Sequence, residues 1–222
     1  MKLNKYIDHT LLKRDAVPAD LDKVADEAIK YGFASVCTHP IWMEHLRNRL
    51  AGTDVMAIAV VGFPFGTQTI ESKVFEGVDA IKKGAQELDY VITVSKVHER
   101  DTEYLTRELN EIRKATEGTP IKLIIETGLL SDDEKRYISE LAVNAGWDFI
   151  KTATGIMSTG ATVEDVKMMA EIAGDRAKVK ASGGVKTIAD GIAMIEAGAS
   201  RIGSSNGVKL VNEEEITEED GY

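Results

Sequence analysis

The sequence predicts an α/β fold, a (β/α)8 TIM barrel with a short N-terminal segment. Three observations carry this reading. Apolar stretches of strand length alternate with stretches of helical spacing along nearly the whole chain. The strand-like stretches are apolar throughout rather than alternating, as in a parallel sheet covered on both faces by helices. The length of 222 residues matches the roughly 200 to 250 that such a barrel takes as one domain. Eight units suggest closure into a barrel, with an open doubly wound sheet as the alternative.

Taken in order, a short strand at Tyr6 to His9 precedes a helix at Leu21 to Ile29, which Pro18 introduces as a first-turn residue. Phe33 to Cys37 is short and apolar, and Ile41 to Leu50 is helical. Val55 to Val61 is a continuous apolar run bounded by Gly62 and Pro64. Glu71 to Lys83 is a helix closed by Gly84, Leu88 to Val94 a β-branched strand, and Glu103 to Ala115 a charge-rich helix. Ile121 to Ile125 is a strand. Ser131, followed three residues later by Glu134, starts a helix as a capping box. Strands at Asp148 to Lys151, Ala177 to Lys180 and Arg201 to Gly203 alternate with helices opened by Thr162 and Thr187. No linker or composition shift interrupts residues 1–212, which are expected to form one domain. The acidic stretch 213–222 is expected to be a flexible tail.

With 43% hydrophobic residues, the chain has material for one sizeable core. Its formal net charge of -10 argues against nucleic acid as a partner, because phosphate neutralisation needs clustered Lys and Arg. An anionic substrate would be repelled at long range, so a phosphate site must be built locally from backbone N–H groups and one or two lysines. Cys37 is the single cysteine, so no disulfide framework exists. There is no apolar leader segment and no run of about 18 apolar residues. The expectation is a soluble, cytoplasmic protein with no membrane partner. His9, His39, His45 and His98 show no His-x-x-x-His spacing, and no metal is expected.

Catalytic groups of a parallel barrel lie at the C-terminal ends of the strands and in the loops that follow. Asp89, Lys151 and Lys180 occupy strand positions where an ionisable residue is unusual. One lysine at a strand end reads equally as a stem packed on apolar surface with its head in water; two on consecutive strands point to chemistry. Neighbouring strands lie about 4.8 Å apart, close enough for the two amines to meet at the barrel mouth. An ordinary lysine with a pKa near 10.4 is a free amine in roughly one molecule in 2,000 at neutral pH. A nearby cation and burial both raise that fraction, and a neutral lysine is a nucleophile for carbonyl carbon. Asp89 stands two strands before Lys151, and alternate strands share a layer of the interior; it suits a proton carrier or a structural ion pair. Ser182-Gly183-Gly184 and Gly203-Ser204-Ser205-Asn206-Gly207 follow the last two strands, where barrels of this kind bind phosphate. Glu126 fits either a pocket residue or a partner for Lys151.

Several motifs resemble the 2-deoxyribose-5-phosphate aldolase family along nearly the whole chain. They include Tyr6-Ile7-Asp8-His9-Thr10, Val61-Gly62-Phe63-Pro64-Phe65-Gly66, Glu87-Leu88-Asp89 and Ile124-Ile125-Glu126-Thr127. The pair Lys151-Thr152-Ala153-Thr154-Gly155 and Val179-Lys180-Ala181-Ser182-Gly183-Gly184 is the most specific. The resemblance implies a class I aldolase without metal or cofactor. It would cleave 2-deoxy-D-ribose 5-phosphate reversibly to acetaldehyde and D-glyceraldehyde 3-phosphate in deoxyribonucleoside catabolism. It assigns Lys151 to the Schiff base, Lys180 to lowering the pKa of Lys151, and Asp89 to proton transfer. Asp8 and Cys37 match positions near the substrate, Gly183, Gly184 and Ser205 match the phosphate loops, and Thr154 and Gly203 complete the substrate contacts. Tyr222, the last residue, matches by position a terminal tyrosine that assists proton transfer in some members. The implied partners are a sugar phosphate and small aldehydes, with a homodimer or homotetramer as the assembly. The chain departs from the family pattern at Thr93, Gly128, Ile156 and Asn206, which bears on substrate preference and rate. Alternatives are another phosphate-binding Schiff-base aldolase on a barrel, a metal-dependent aldolase, or a non-catalytic sugar-phosphate sensor.

Overall fold

Eight parallel strands close into one barrel in chain order, each paired with the next and the last with the first. The computed structural model describes residues 2–216. The strands are β1 (Ile7–Leu11), β2 (Ser35–Thr38), β3 (Met56–Val61), β4 (Glu87–Val91), β5 (Ile121–Ile124), β6 (Phe149–Lys151), β7 (Lys178–Ser182) and β8 (Ala199–Ser204). The helices are α1 (Pro18–Tyr31), α2 (Met43–Arg49), α3 (Ile70–Lys82), α4 (Val94–His98), α5 (Thr102–Ala115), α6 (Asp132–Asn144), α7 (Val163–Ala173), α8 (Ile188–Glu196) and α9 (Gly207–Val211). A 3-10 turn at Asn4–Tyr6 precedes β1. The expected barrel is therefore the fold that forms.

Local chemistry sets the boundaries. Pro18 stands in the first turn of α1, where its missing N–H is not needed. Ser131 caps α6 as anticipated: its hydroxyl accepts from the Glu134 amide and the Glu134 carboxylate accepts from the Ser131 amide. Thr187 and Asp190 form the same box at the start of α8, and the Thr162 hydroxyl caps α7 by accepting from the Asp165 amide. One strand end differs from expectation. The run to Val94 reads as a strand, but β4 stops at Val91 and α4 begins at Val94. The cause is tertiary. Thr93 donates to the Gly66 carbonyl at 3.2 Å, lies 3.0 Å from the Lys73 ammonium, and sits beside Glu108. These anchors turn the chain away from the barrel and override β-propensity.

The strands separate two interiors. Outward side chains such as Ile7, Val36, Leu88, Tyr90, Leu123 and Ile202 are buried against the helices in the main core. Inside the barrel, a small apolar cluster of Leu12, Cys37, Ile58 and Val60, with Phe63 against it, fills the side of β2 and β3. Barrel interiors are ordinarily filled by layers of branched apolar residues; here the remaining strands bring charge inward instead.

Packing between α3 and β4 is tight enough to override helix propensity. A Cβ on Gly77 would lie 1.7 Å from the Tyr90 hydroxyl oxygen, which is buried. Gly77→Ala should gain about 1 kcal/mol from propensity and lose more from overpacking, which costs typically 1–3 kcal/mol. The expected outcome is net destabilisation in urea unfolding with an unchanged m-value, and a stabilised variant would show that the contact relaxes freely.

Candidate active site

Alternation with period two decides which strand residues face inward. On β4 the inward pair is Glu87 and Asp89; β5 contributes Lys122, β6 Lys151, β7 Lys180, β8 Arg201 and β1 Asp8. Asp8, Asp89, Lys122 and Lys180 are fully buried, and Lys151 and Glu87 nearly so. Register brings them together. Asp89 lies across from Lys122 on the β4–β5 ladder, and Lys151 across from Lys180 on the β6–β7 ladder.

These groups form a closed ring of alternating sign. Asp8 pairs with Arg201 at 2.5 Å and Arg201 with Glu87 at 3.0 Å. Glu87 pairs with Lys122 at 2.5 Å and Lys122 with Asp89 at 3.1 Å. Asp89 accepts from Lys180 at 2.8 Å, and Lys180 returns to Asp8 at 2.6 Å. Three carboxylates thus balance three cations. Lys151 is attached to this ring from outside, donating to Asp89 Oδ2 at 2.8 Å, the same oxygen that Lys180 uses.

That placement explains why two lysines on one oxygen ionise differently. Burial disfavours the charged form of both. Lys180 has two carboxylates, Asp8 and Asp89, which outweigh burial and hold its ammonium well above the ordinary lysine range. Burial is the largest influence on Lys151 and pushes it down. The attraction of Asp89 opposes that, and the repulsion of Lys180 works against the attraction. A unit-charge pair at 4 Å is worth about 4 kcal/mol at an effective dielectric near 20, so gaining or lacking a second carboxylate decides the sign. Of the two influences expected from the sequence, burial is the larger and the repulsion of Lys180 the smaller. Burial would raise the Asp89 and Asp8 carboxyls, but their lysine and arginine neighbours hold both well below the usual carboxylate range. For Lys122, Asp89 and Glu87 outweigh burial, and its ammonium is held up.

The other candidates fall into place around this centre. Asp8 also accepts from the Ser35 hydroxyl at 2.6 Å. Cys37 is buried in the apolar half of the interior, and burial, reinforced by Asp89, pushes its thiol up to about 11; it is a protonated packing residue at neutral pH. Thr154 is buried in the turn after Lys151, its hydroxyl accepting from the Ile156 and Met157 amides. Gly183 and Gly184 both have φ +76°, a conformation open to glycine, directly after β7. Gly203 lies within β8, where a side chain would meet the Ser182 hydroxyl at 2.4 Å and the Lys180 stem at 3.2 Å. Its smallness therefore makes room for Lys180. Ser205 follows β8 and its hydroxyl accepts from the Asn206 side-chain amide at 3.2 Å. Tyr222 lies outside the described residues.

Glu87, Lys122 and Arg201 escaped the sequence reading as site residues. The signal was present in the alternation of charge with apolar residues in Glu87-Leu88-Asp89 and Ile121-Lys122-Leu123. It goes unnoticed when each strand is read alone, because every partner sits on another strand. Glu126 does not pair with Lys151; its carboxylate accepts from the Thr154 amide and the Ser158 hydroxyl. Among the described residues, no group of three or more His, Cys, Asp or Glu side chains is arranged to hold a metal ion.

Comparison with known proteins places the whole chain. The sequence profile described as DeoC/LacD family aldolase matches residues 2–211. The deoxyribose-phosphate aldolase of Finegoldia magna is 48% identical over 211 residues, covering 95% of this chain and 99% of the relative. That of Caldanaerobacter subterraneus is 48% identical over 216 residues, covering 96% and 94%. Among solved structures, the tetrameric deoxyribose phosphate aldolase from Aeropyrum pernix is similar with a TM-score of 0.88 at 32% identity, covering 95% of this chain and 90% of that one. The aldolase QR15 is similar with a TM-score of 0.91 at 36% identity, covering 96% of both chains.

The ring and the appended amine should respond oppositely to truncation. Lys180→Met leaves two buried carboxylates short of a cation and should cost about 3–5 kcal/mol. Lys151→Met removes a buried amine that resists protonation, and should melt no lower than the parent at pH 7. Between the folded value of Lys151 and the ordinary lysine value, the unfolded chain binds more protons, so the stability of the parent rises with pH there. The parent should accordingly gain on Lys151→Met as pH rises through that window in thermal melts. A Lys151→Met protein much less stable than the parent would show that the ammonium is stabilising and the assignment wrong.

Proposed function

We infer the reaction from one premise: this chain belongs to the DeoC/LacD family of aldolases and is an aldolase. The substrate we propose is 2-deoxy-D-ribose 5-phosphate, cleaved reversibly to acetaldehyde and D-glyceraldehyde 3-phosphate. Support comes from relatives near half identity that carry the name deoxyribose-phosphate aldolase. The observation that carries the mechanism is a buried lysine whose one carboxylate is shared with a second lysine.

In this reading the neutral Nζ of Lys151 attacks the C1 aldehyde of the open-chain sugar phosphate. Asp89 carries protons between the nitrogen and the former carbonyl oxygen, water leaves, and a protonated imine forms. The imine accepts the electron pair of the C2–C3 bond as that bond breaks. The C3 hydroxyl loses its proton and becomes the aldehyde of glyceraldehyde 3-phosphate. The enamine left on Lys151 takes a proton at C2, and hydrolysis releases acetaldehyde and the free amine. Lys180 stays charged throughout, held by Asp8 and Asp89, and so keeps opposing reprotonation of Lys151. The proposed phosphate contacts are the backbone of Gly183 and Gly184 with Ser205, consistent with their place after β7 and β8. Local amides suit a chain of net charge -10, because they attract an anion without a surrounding basic field. A homo-oligomeric assembly is proposed by similarity to the tetrameric relative.

Borohydride added with acetaldehyde should leave one ethyl group on the peptide containing Lys151, detected by mass spectrometry. Lys151→Ala should abolish both labelling and cleavage, and Asp89→Asn should slow cleavage by about 10²–10⁴. The acid limb of kcat/KM should fall below the ordinary lysine pKa, since Lys151 must lose a proton to react and its pKa is lowered. Labelling of another lysine with Lys151 unmodified would refute the mechanism.

A further inference from the structure

The reaction leaves one buried carboxylate of the barrel mouth unused. Glu126 is 2% exposed and sits at φ 59°, ψ 63°, a left-handed conformation that a residue with a side chain holds only where its surroundings enforce it. Those surroundings are the loop after β6. The Thr154 amide donates to the two carboxylate oxygens at 3.3 and 3.2 Å, and the Ser158 hydroxyl donates to one of them at 2.5 Å. The next backbone amide, of Thr127, donates to the Thr152 carbonyl at 2.9 Å. The turn after β5 therefore grips the loop after β6 by side chain and main chain together.

Two glycines make the grip close. A Cβ on Gly128 would meet the Thr159 hydroxyl at 2.6 Å and Ser158 at 2.8 Å. A Cβ on Gly160 would lie 2.2 Å from the Gly183 carbonyl carbon and 2.4 Å from the Gly184 nitrogen. The Ala161 amide donates to the Ser182 and Gly183 carbonyls, both at 3.1 Å. One stack thus runs from Glu126 and Gly128, through residues 154–161, to the Gly183–Gly184 peptide. It also accounts for two departures from the family pattern as one. With glycine at 128, the loop that carries Ile156, Met157 and Ser158 settles inward onto the space a larger residue would take.

We propose that Glu126, with Ser158 and Gly128, is a positioning element for phosphate recognition. It seats Gly160 against the Gly183–Gly184 peptide and so fixes the left-handed backbone that presents the amides there. This rests on the assignment of those glycines to the phosphate end of the substrate. The element acts on the phosphate group and leaves the imine chemistry at Lys151 to the ring on the other strands.

The test compares cleavage of 2-deoxyribose 5-phosphate with that of unphosphorylated 2-deoxyribose, in the parent and in Glu126→Gln, Ser158→Ala and Gly128→Ala. Inorganic phosphate is titrated into each protein by calorimetry. Glu126→Gln and Gly128→Ala should each lower the kcat/KM preference for the phosphorylated sugar about tenfold, through KM, and weaken phosphate binding by a similar factor. That is the size of one hydrogen bond to a charged group. Ser158→Ala removes a single hydroxyl, should lose roughly threefold, and keeps the proposal testable if the other variants fail to fold. Equal losses on both sugars with phosphate affinity unchanged would overturn it, as would an unchanged preference in every variant. A parent that cleaves neither sugar would refute the reaction proposed above, while the phosphate titrations would still decide the role of Glu126.

Discussion

A closed ring of six charges, five of them buried and Arg201 partly so, holds the charged interior of this barrel in place. Removing a carboxylate or ammonium from water costs several kcal/mol per ion even after relaxation. The ring recovers that cost because each member touches two groups of opposite sign. Lys151 touches one carboxylate, already engaged, and pays for its burial by giving up its proton readily. The pKa of Lys151 is thus lowered by burial that a single, shared carboxylate does not offset. Loss of Asp89 would leave Lys151 without its carboxylate, and loss of Lys180 would remove the cation that competes for it.

The barrel supplies the geometry that such a ring needs. Parallel strands with a side-chain period of two send alternate residues inward, and closure brings β8 beside β1, so Arg201 reaches Asp8. The division of the interior follows: an apolar cluster around Cys37, Ile58 and Val60 on one side, ions on the other. The apolar side excludes water from the neighbourhood of Asp89 and Lys151, which strengthens every electrostatic contact there. Gly203 serves the same end by leaving room for the Lys180 stem.

Much of this was legible in the linear chain. Capping residues and apolar periods located α6, α7 and α8 near their starts, because caps and periodicity are local properties. Asp89, Lys151 and Lys180 stood out because an ion in an apolar strand is conspicuous on its own. Glu87 and Lys122 did not, although both are as deeply buried, since what marks them is each other across 35 residues of chain. Arg201 and Asp8 are 193 residues apart. The end of β4 was misread for a related reason: Thr93 is held by Lys73, Gly66 and Glu108, none of them adjacent in sequence.

The chain by itself determined the barrel, the order of its units and the placement of Lys151 and Lys180 on consecutive strands, all of which follow from residue type and spacing over short distances. Tertiary structure alone decided which lysine has its pKa lowered, why Gly128 and Ser158 belong together, and what Glu126 grips. Those outcomes depend on separations of a few ångströms between segments far apart in sequence. Electrostatic and steric energies change steeply over such separations, whereas sequence spacing carries no information about them until the strands have closed.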